Sequence, residues 1–108
     1  MKATYWQRGE ALDYTNSTAE TIPGNTVIDI KTRIGVVGNA IEPGQHGALH
    51  VEGVFEIAKK SGEEVAFGDL LYFDGTEITK TADTNTPAGY AAAPATASAT
   101  KVLVKLLG

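Results

Sequence analysis

The chain has 108 residues, 43% of them hydrophobic and 20% charged, which excludes a disordered or fibrous protein and predicts one domain with a modest core. Its 13 acidic and 9 basic residues give a net charge of -4, which would repel a phosphate backbone, so we expect no nucleic-acid partner. Cysteine is absent, which excludes disulfides and thiolate metal sites, and no apolar run is long enough to span a membrane or to act as a secretory signal.

The first 20 residues are polar and contain aromatic residues but hardly any aliphatic side chain. Tyr5, Trp6 and Tyr14 stand among Thr, Asn and Ser, with Leu12 as the exception. Such a stretch is either a frayed terminus or an arm, partly disordered alone, whose aromatic rings dock on a partner. We therefore divide the chain into an N-terminal arm, residues 1–20, and a single β domain, residues 21–108.

Short apolar runs separated by glycine follow from residue 22 and predict β-strands. They occupy residues 27–30, 34–37 and 48–51, and a regular alternation of apolar and polar side chains extends over residues 51–57. Residues 42–45 read Glu-Pro-Gly-Gln and predict a turn, because proline fixes φ and glycine accepts a positive φ.

The strongest local signal is a β-hairpin around Asp74 and Gly75. These two residues separate the apolar run 70–73 from the alternating run 76–80. Asp-Gly between two strand-like runs predicts a two-residue type I′ turn, in which both residues have positive φ.

The last third of the chain is rich in Ala, Thr and Pro. Pro87 and Pro94 interrupt any helix, and residues 101–106 alternate as a strand does, which requires a partner strand upstream. The natural partner is lined by small residues, which suits a closely approached surface or one that faces another subunit. The candidate subunit interface therefore consists of Gly89, Tyr90, Ala91, Ala92 and Ala93.

A weak internal similarity links the two halves of the chain. Residues 24–28 contain Gly-Asn followed by the apolar pair Val-Ile, and residues 68–72 contain Gly-Asp followed by the pair Leu-Tyr. Each stretch is followed later by a strand that contains a glycine, Gly35 in the first half and Gly89 in the second. Chance could produce this pattern. A duplication would instead place two similar β ribbons against each other.

No catalytic motif is present, because the chain has neither a phosphate-binding loop nor a dinucleotide glycine motif nor a Gly-x-Ser-x-Gly elbow. His46 and His50 on one strand would lie about 13 Å apart, too far to share a metal ion. Turns and solvent exposure account for the acidic residues that could pair for acid–base chemistry, which are Glu63, Glu64, Asp69 and Asp74. We therefore expect a protein that is not an enzyme and that needs no cofactor and no metal.

Three motifs in order resemble a family of small bacteriophage proteins, the capsid cement or head-decoration family. They are Gly-Val-Phe-Glu-Ile at residues 53–57, Gly-Asp-Leu-Leu-Tyr-Phe-Asp at residues 68–74 and Ala-Gly-Tyr-Ala at residues 88–91. The family's Gly-Asp-x-Val-Tyr-Trp-Asp core has Leu71 in place of Val and Phe73 in place of Trp here. Both replacements keep the apolar or aromatic character of the position.

The resemblance extends towards both ends of the chain. Residues 5–10, Tyr-Trp-Gln-Arg-Gly-Glu, are similar to the family's opening Tyr-x-Gln-x-Gly stretch, residues 34–37 to its first Gly-Val strand, and residues 101–106 to its closing strand. The resemblance implies a small β-barrel or β-clip-like domain of short antiparallel strands with an extended N-terminal arm, similar to the head-decoration protein of phage lambda. It also implies assembly as a homotrimer and no catalytic residues.

The function implied by the resemblance is to bind and stabilise the outer surface of a phage head. The partners would be the major capsid protein of the phage and further copies of this chain, and the location would be the virion after assembly in the host cytoplasm. Aromatic and basic residues are the candidate capsid contacts, namely Tyr5, Trp6, Arg8 and Tyr14. The alternative is a small β-barrel module that binds a ligand or a glycan on a platform of Tyr and Trp rings.

Overall fold

The computed structural model describes residues 1–107, which form nine β-strands and no helix. The strands are β1 (Ala11–Thr15), β2 (Val27–Asp29), β3 (Ile34–Val37), β4 (His46–His50), β5 (Val54–Ala58), β6 (Leu70–Phe73), β7 (Ile78–Thr79), β8 (Thr86–Ala91) and β9 (Lys101–Leu106). A helix with the length and apolarity needed to cross a membrane is accordingly not found within residues 1–107.

The strands form two sheets in which every pair of neighbours is antiparallel. The first sheet has the order β1-β4-β3-β2 and the second has the order β5-β9-β8-β6-β7. A single bridge between Lys59 and Ile78 brings the two ends of the second sheet together, but no continuous ladder closes it. The all-β prediction with short antiparallel strands is therefore confirmed, whereas the described residues form no closed barrel.

The predicted hairpin is confirmed, but its turn is not of type I′. Phe73 of β6 pairs with Ile78 of β7. Of the two predicted turn residues, Gly75 has a positive φ, of 104°, and Asp74 does not. Instead, Oδ1 of Asp74 accepts a hydrogen bond of 2.9 Å from the Thr76 amide. This side-chain cap stabilises the turn without a second positive φ.

The strands β3 and β9 occupy their predicted ranges, but residues 51–57 do not form one strand. β4 ends at His50 and β5 begins at Val54, because Gly53 between them has a φ of 112°. A residue in this region of φ cannot continue an extended strand. The alternation of the sequence therefore continues across a break in the backbone.

The second half of the predicted arm belongs to the folded body. Residues 1–10 are exposed and lie outside every strand, whereas β1 pairs with β4 along its whole length. Asn16, which follows β1, is fully buried, and its Nδ2 donates hydrogen bonds to the carbonyls of Glu20 and Ile41 at 2.7 and 2.8 Å. These bonds anchor the chain after β1 to the first sheet.

The two sheets are repeats of one architecture. If β5, β6, β8 and β9 are matched to β1, β2, β3 and β4, the second sheet has the strand order of the first, with β7 added at one edge. We call residues 10–51 repeat 1 and residues 53–106 repeat 2. The weak similarity in the sequence therefore corresponds to a repeated structure.

Backbone hydrogen bonds outside the strand ladders support this match. Several bonds of repeat 1 recur at corresponding positions of repeat 2, including the following five. In repeat 1, the donor amides and acceptor carbonyls are Ile22 to Ile41, Ile41 to Ile22, Asn25 to Val37, Val37 to Thr26 and Val51 to Glu10. In repeat 2, they are Val65 to Ala95, Ala95 to Val65, Gly68 to Ala91, Ala91 to Asp69 and Leu106 to Gly53. Asn25 thus corresponds to Gly68, and both have positive φ, of 66° and 88°.

Each repeat has two faces, because side chains directly opposite each other on paired strands point to the same side of a sheet. One row across repeat 1 consists of Ala11, His50, Val36 and Val27. The same register in repeat 2 gives Val54, Lys105, Tyr90 and Leu70. We call the face that carries these rows the outer face of each repeat and the opposite face its inner face.

The outer face of repeat 1 packs against the inner face of repeat 2. Val36, which is 4% exposed, and Val27 pack in one apolar cluster with Ile57 and Phe73. The hydroxyl of Thr86 donates a 2.7 Å hydrogen bond to the carboxylate of Asp29. A second, smaller cluster of Val37, Ile41, Leu49 and Val51 fills the inner face of repeat 1. The two repeats are therefore stacked head to tail.

Lys59 in repeat 2 occupies the position of Asn16 in repeat 1, directly after the first strand. It is only 3% exposed, and its Nζ donates to the carbonyls of Lys60 and Glu63 at 2.8 and 2.6 Å and of Ala97 at 3.5 Å. Both side chains thus bind the carbonyl four residues further along the chain. A buried cation with several carbonyl partners is a structural element of this repeat.

Replacement of Lys59 by methionine is expected to lower the free energy of unfolding by about 2–4 kcal/mol, because buried carbonyls would lose their donor. The matched control is Lys60→Met at the neighbouring exposed position, which should change stability by less than about 0.5 kcal/mol. Urea unfolding of the two variants at neutral pH measures the difference. Equal stability of the two variants would contradict the role assigned to the Lys59 ammonium group.

Candidate binding surfaces

The N-terminal segment, residues 1–9, presents two neighbouring aromatic rings to solvent. Tyr5 is 80% exposed and Trp6 is 87% exposed. Arg8 forms an ion pair with Glu10 at 2.6 Å, with side chains 81% and 60% exposed, and such an exposed pair adds little stability. Side chains this exposed contribute little to the fold, so they are available to a partner.

The charge of the N-terminal segment is opposite to that of the remaining chain. Residues 1–9 contain Lys2 and Arg8 and no acidic residue, which leaves seven of the nine basic residues and all 13 acidic residues to the body. The segment is therefore basic and aromatic, whereas the body is acidic. A basic segment on an acidic body favours a partner that carries acidic groups.

Tyr14, the fourth candidate capsid contact, is not part of this exposed segment. It lies in β1 on the inner face of repeat 1, is half-buried, and packs against the smaller cluster of that repeat. Leu12, two residues earlier in β1, is on the same face and is 41% exposed. The structure thus separates Tyr14 from Tyr5 and Trp6.

The candidate subunit interface of residues 89–93 is divided between the core and the surface. Ala91 is fully buried, and a Cβ on Gly89 would lie 1.9 Å from the Lys105 carbonyl oxygen. Their small size therefore serves close packing within repeat 2. Ala92 and Ala93 are half-buried, whereas Tyr90 is 41% exposed on the outer face.

An exposed apolar surface surrounds Tyr90, and no local pattern in the sequence predicts it. Leu70 is 63% exposed and Val54 is 52% exposed, and both lie in one row with Tyr90 on the outer face of repeat 2. Exposed apolar residues that form one surface mark a contact with another protein.

An open groove runs along the junction of the two repeats. One part, of about 460 Å³, is mainly apolar and is lined by Val27, Val36 and Phe55 among others. A wider part, of about 820 Å³, is lined by His46 and His50, which lie on the same face of β4. Within residues 1–107, no three His, Cys, Asp or Glu side chains are grouped as metal ligands.

Glu63 is held by hydrogen bonds. Partial burial acts to raise the pKa of its carboxyl group, but the Lys80 amide at 2.7 Å and the Thr79 hydroxyl at 2.8 Å outweigh this effect. The pKa of Glu63 therefore lies below its ordinary value. Glu64 is exposed beside it. A carboxylate stabilised in its ionised form acts as an acceptor that links two loops.

Asp69 and Asp74 have the same kind of environment at two turns. The Ala66 amide lowers the pKa of Asp69, and the amides of Thr76 and Glu77 lower the pKa of Asp74. A general acid at neutral pH needs a raised pKa, and here the shifts have the opposite direction. These carboxylates are therefore explained as turn caps.

A family model described as phage cement protein matches residues 6–106 of the chain. The match includes both repeats and begins within the N-terminal segment, at Trp6. No curated protein and no solved structure matches the chain significantly.

Proposed function

The chain belongs to the phage cement protein family, and from this premise we propose that it binds the outer surface of a bacteriophage head and stabilises the capsid lattice without catalysing a reaction. The family match, which covers nearly the whole chain, carries this proposal. The exposed, basic and aromatic N-terminal segment supplies the candidate contact with the capsid, through Tyr5, Trp6 and Arg8.

The physical basis of the stabilisation is mass action. A protein that binds the assembled lattice, and not its free subunits, adds its binding free energy to the stability of the shell at every occupied site. Aromatic rings bury a large area for each side chain that becomes ordered, so two rings in a short segment provide an anchor. No reactive group is needed for this function.

The proposed cement unit is a homotrimer, which would present three N-terminal segments to neighbouring capsid subunits. Linked contacts act at a high effective concentration and raise the overall affinity by roughly 10²- to 10⁴-fold over one contact. A weak contact by each segment is then sufficient. The exposed ring of Tyr90 and the half-buried Ala92 and Ala93 supply candidate contacts between the copies.

The test of this function uses expanded capsids that lack the protein, prepared from the phage whose genome encodes the chain. Purified protein should co-sediment with these capsids to a saturating stoichiometry and should raise the temperature at which the particles disrupt. Unexpanded capsids are the matched control for binding to the mature lattice. Absence of binding to expanded capsids, with the protein folded, would refute the proposed function.

A further inference from the structure

The head-to-tail packing of the two repeats leaves one free surface at each end of the molecule. Inside the chain, Val27 and Val36 on the outer face of repeat 1 meet Phe55 and Ile57 on the inner face of repeat 2, where all four line one opening. The outer face of repeat 2 and the β1 edge of the inner face of repeat 1 have no such partner within the chain, although repeat 1 itself buries Val37 and Leu49 on that inner face.

The free outer face carries apolar side chains at the positions that are covered in the other repeat. Leu70 and Tyr90 of repeat 2 stand at the register positions of Val27 and Val36 in repeat 1. Val36 is 4% exposed, whereas Leu70 is 63% and Tyr90 is 41% exposed. The second repeat therefore keeps an apolar pair at this position without a cover.

The β1 edge of the inner face of repeat 1 carries the complementary pair. Leu12 and Tyr14 of repeat 1 stand at the register positions of Phe55 and Ile57 in repeat 2. Ile57 is 8% exposed, whereas Leu12 is 41% exposed and Tyr14 is half-buried. Each end of the molecule thus presents one half of the contact that the chain already makes inside itself.

We infer that copies of this chain associate head to tail, with Leu70 and Tyr90 of one copy packed against Leu12 and Tyr14 of the next. The contact continues the internal junction between repeats from one molecule to the next. A head-to-tail contact is heterologous, so it forms a closed ring if the rotation closes and a filament if it does not. In a ring of three copies, six repeats surround the axis. The assumption of three copies in the ring rests on the proposed function, whereas the head-to-tail contact does not.

The experiment uses the free full-length protein, without capsids, and measures mass by light scattering at micromolar concentration. The wild type should be a closed oligomer. Leu70→Asp and Leu12→Asp each place a charge in one half of the contact at an exposed position, and each variant alone should have the mass of one chain.

The matched control is Leu103→Asp, because Leu103 is exposed on the same outer face but corresponds to Ala48, which is itself exposed in repeat 1. This control should keep the wild-type mass.

Mixing the two variants distinguishes a head-to-tail contact from a symmetric one. Leu70→Asp keeps an intact inner face and Leu12→Asp keeps an intact outer face, so a mixture should form pairs of one copy each and stop there. A symmetric contact between two outer faces would instead leave Leu12→Asp assembled on its own, because that variant keeps its outer face. A monomeric wild type, a mixture that stays monomeric, or dissociation of the Leu103→Asp control would overturn the inference. Capsid binding measured separately decides the proposed function, so the two can fail independently.

Discussion

Replacement of Gly89 by alanine is expected to destabilise the protein more than the same replacement at any other glycine within residues 1–107. An ideal Cβ at this position would lie 1.9 Å from the carbonyl oxygen and 2.9 Å from the carbonyl carbon of Lys105, and the φ of Gly89 is 151°. Both partners are backbone atoms of β9, so no side-chain rotation relieves the clash. β8 and β9 would have to separate in the centre of the second sheet, at an expected cost of at least about 4 kcal/mol.

The matched control for this variant is Gly62→Ala. Gly62 also has a positive φ, of 90°, but a Cβ there would meet no atom within 4 Å. Its cost is therefore the backbone strain alone, about 1–2 kcal/mol. Denaturant unfolding followed by circular dichroism measures both variants. Loss of a cooperative transition in Gly89→Ala, with one retained in Gly62→Ala, fulfils the expectation, whereas equal midpoints would contradict it.

Local patterns in the sequence were sufficient for two strands and for one hairpin. Residues 34–37 and 101–106 form β3 and β9 as predicted, and the Asp-Gly signal located the β6–β7 hairpin. These elements depend on side-chain alternation and turn chemistry, which act over a few residues. The small residues around Gly89 indicate either a closely approached strand or a surface that faces another subunit, and within the chain it is the Lys105 backbone that approaches Gly89.

Other features depend on contacts between distant residues, which no local pattern contains. β1 looked like part of the arm because residues 11–15 have few aliphatic side chains, but its ladder to β4 holds it in the first sheet. Tyr14 was assigned to the exposed segment for the same reason. Lys59 shows the limit most clearly, because a lysine in a sequence indicates solvent, whereas here three backbone carbonyls surround its ammonium group.

The repeat explains why two kinds of surface occur on one small domain. The stacked repeats bury the apolar rows between them and leave one row free at each end. The N-terminal segment precedes repeat 1 and has no counterpart before repeat 2, where Glu52 and Gly53 link the two repeats directly. The ends of the stack are therefore suited to copies of the chain, and the unrepeated segment to a different partner.

Deletion of residues 1–9 is expected to weaken binding to expanded capsids by roughly 100-fold or more while leaving the body folded. The segment carries Tyr5 and Trp6 as its exposed rings, and its loss removes one contact from every copy of a multivalent unit. Glu10 is retained because its carbonyl accepts the Val51 amide at 3.0 Å. Co-sedimentation at a series of protein concentrations measures the apparent Kd, and urea unfolding measures the stability of the body.

Single substitutions determine whether the rings, and not merely the length of the segment, account for the binding. Trp6→Ala should raise the apparent Kd by about tenfold or more, because a buried tryptophan anchor is worth about 2 kcal/mol or more at an interface. Thr4→Ala in the same exposed segment is the matched control and should leave the Kd within about twofold, since a rim contact of this size is nearly neutral. If the deletion variant binds as tightly as the wild type, the capsid contact lies on the body, and the free rows at the ends of the stack become the surfaces to mutate next.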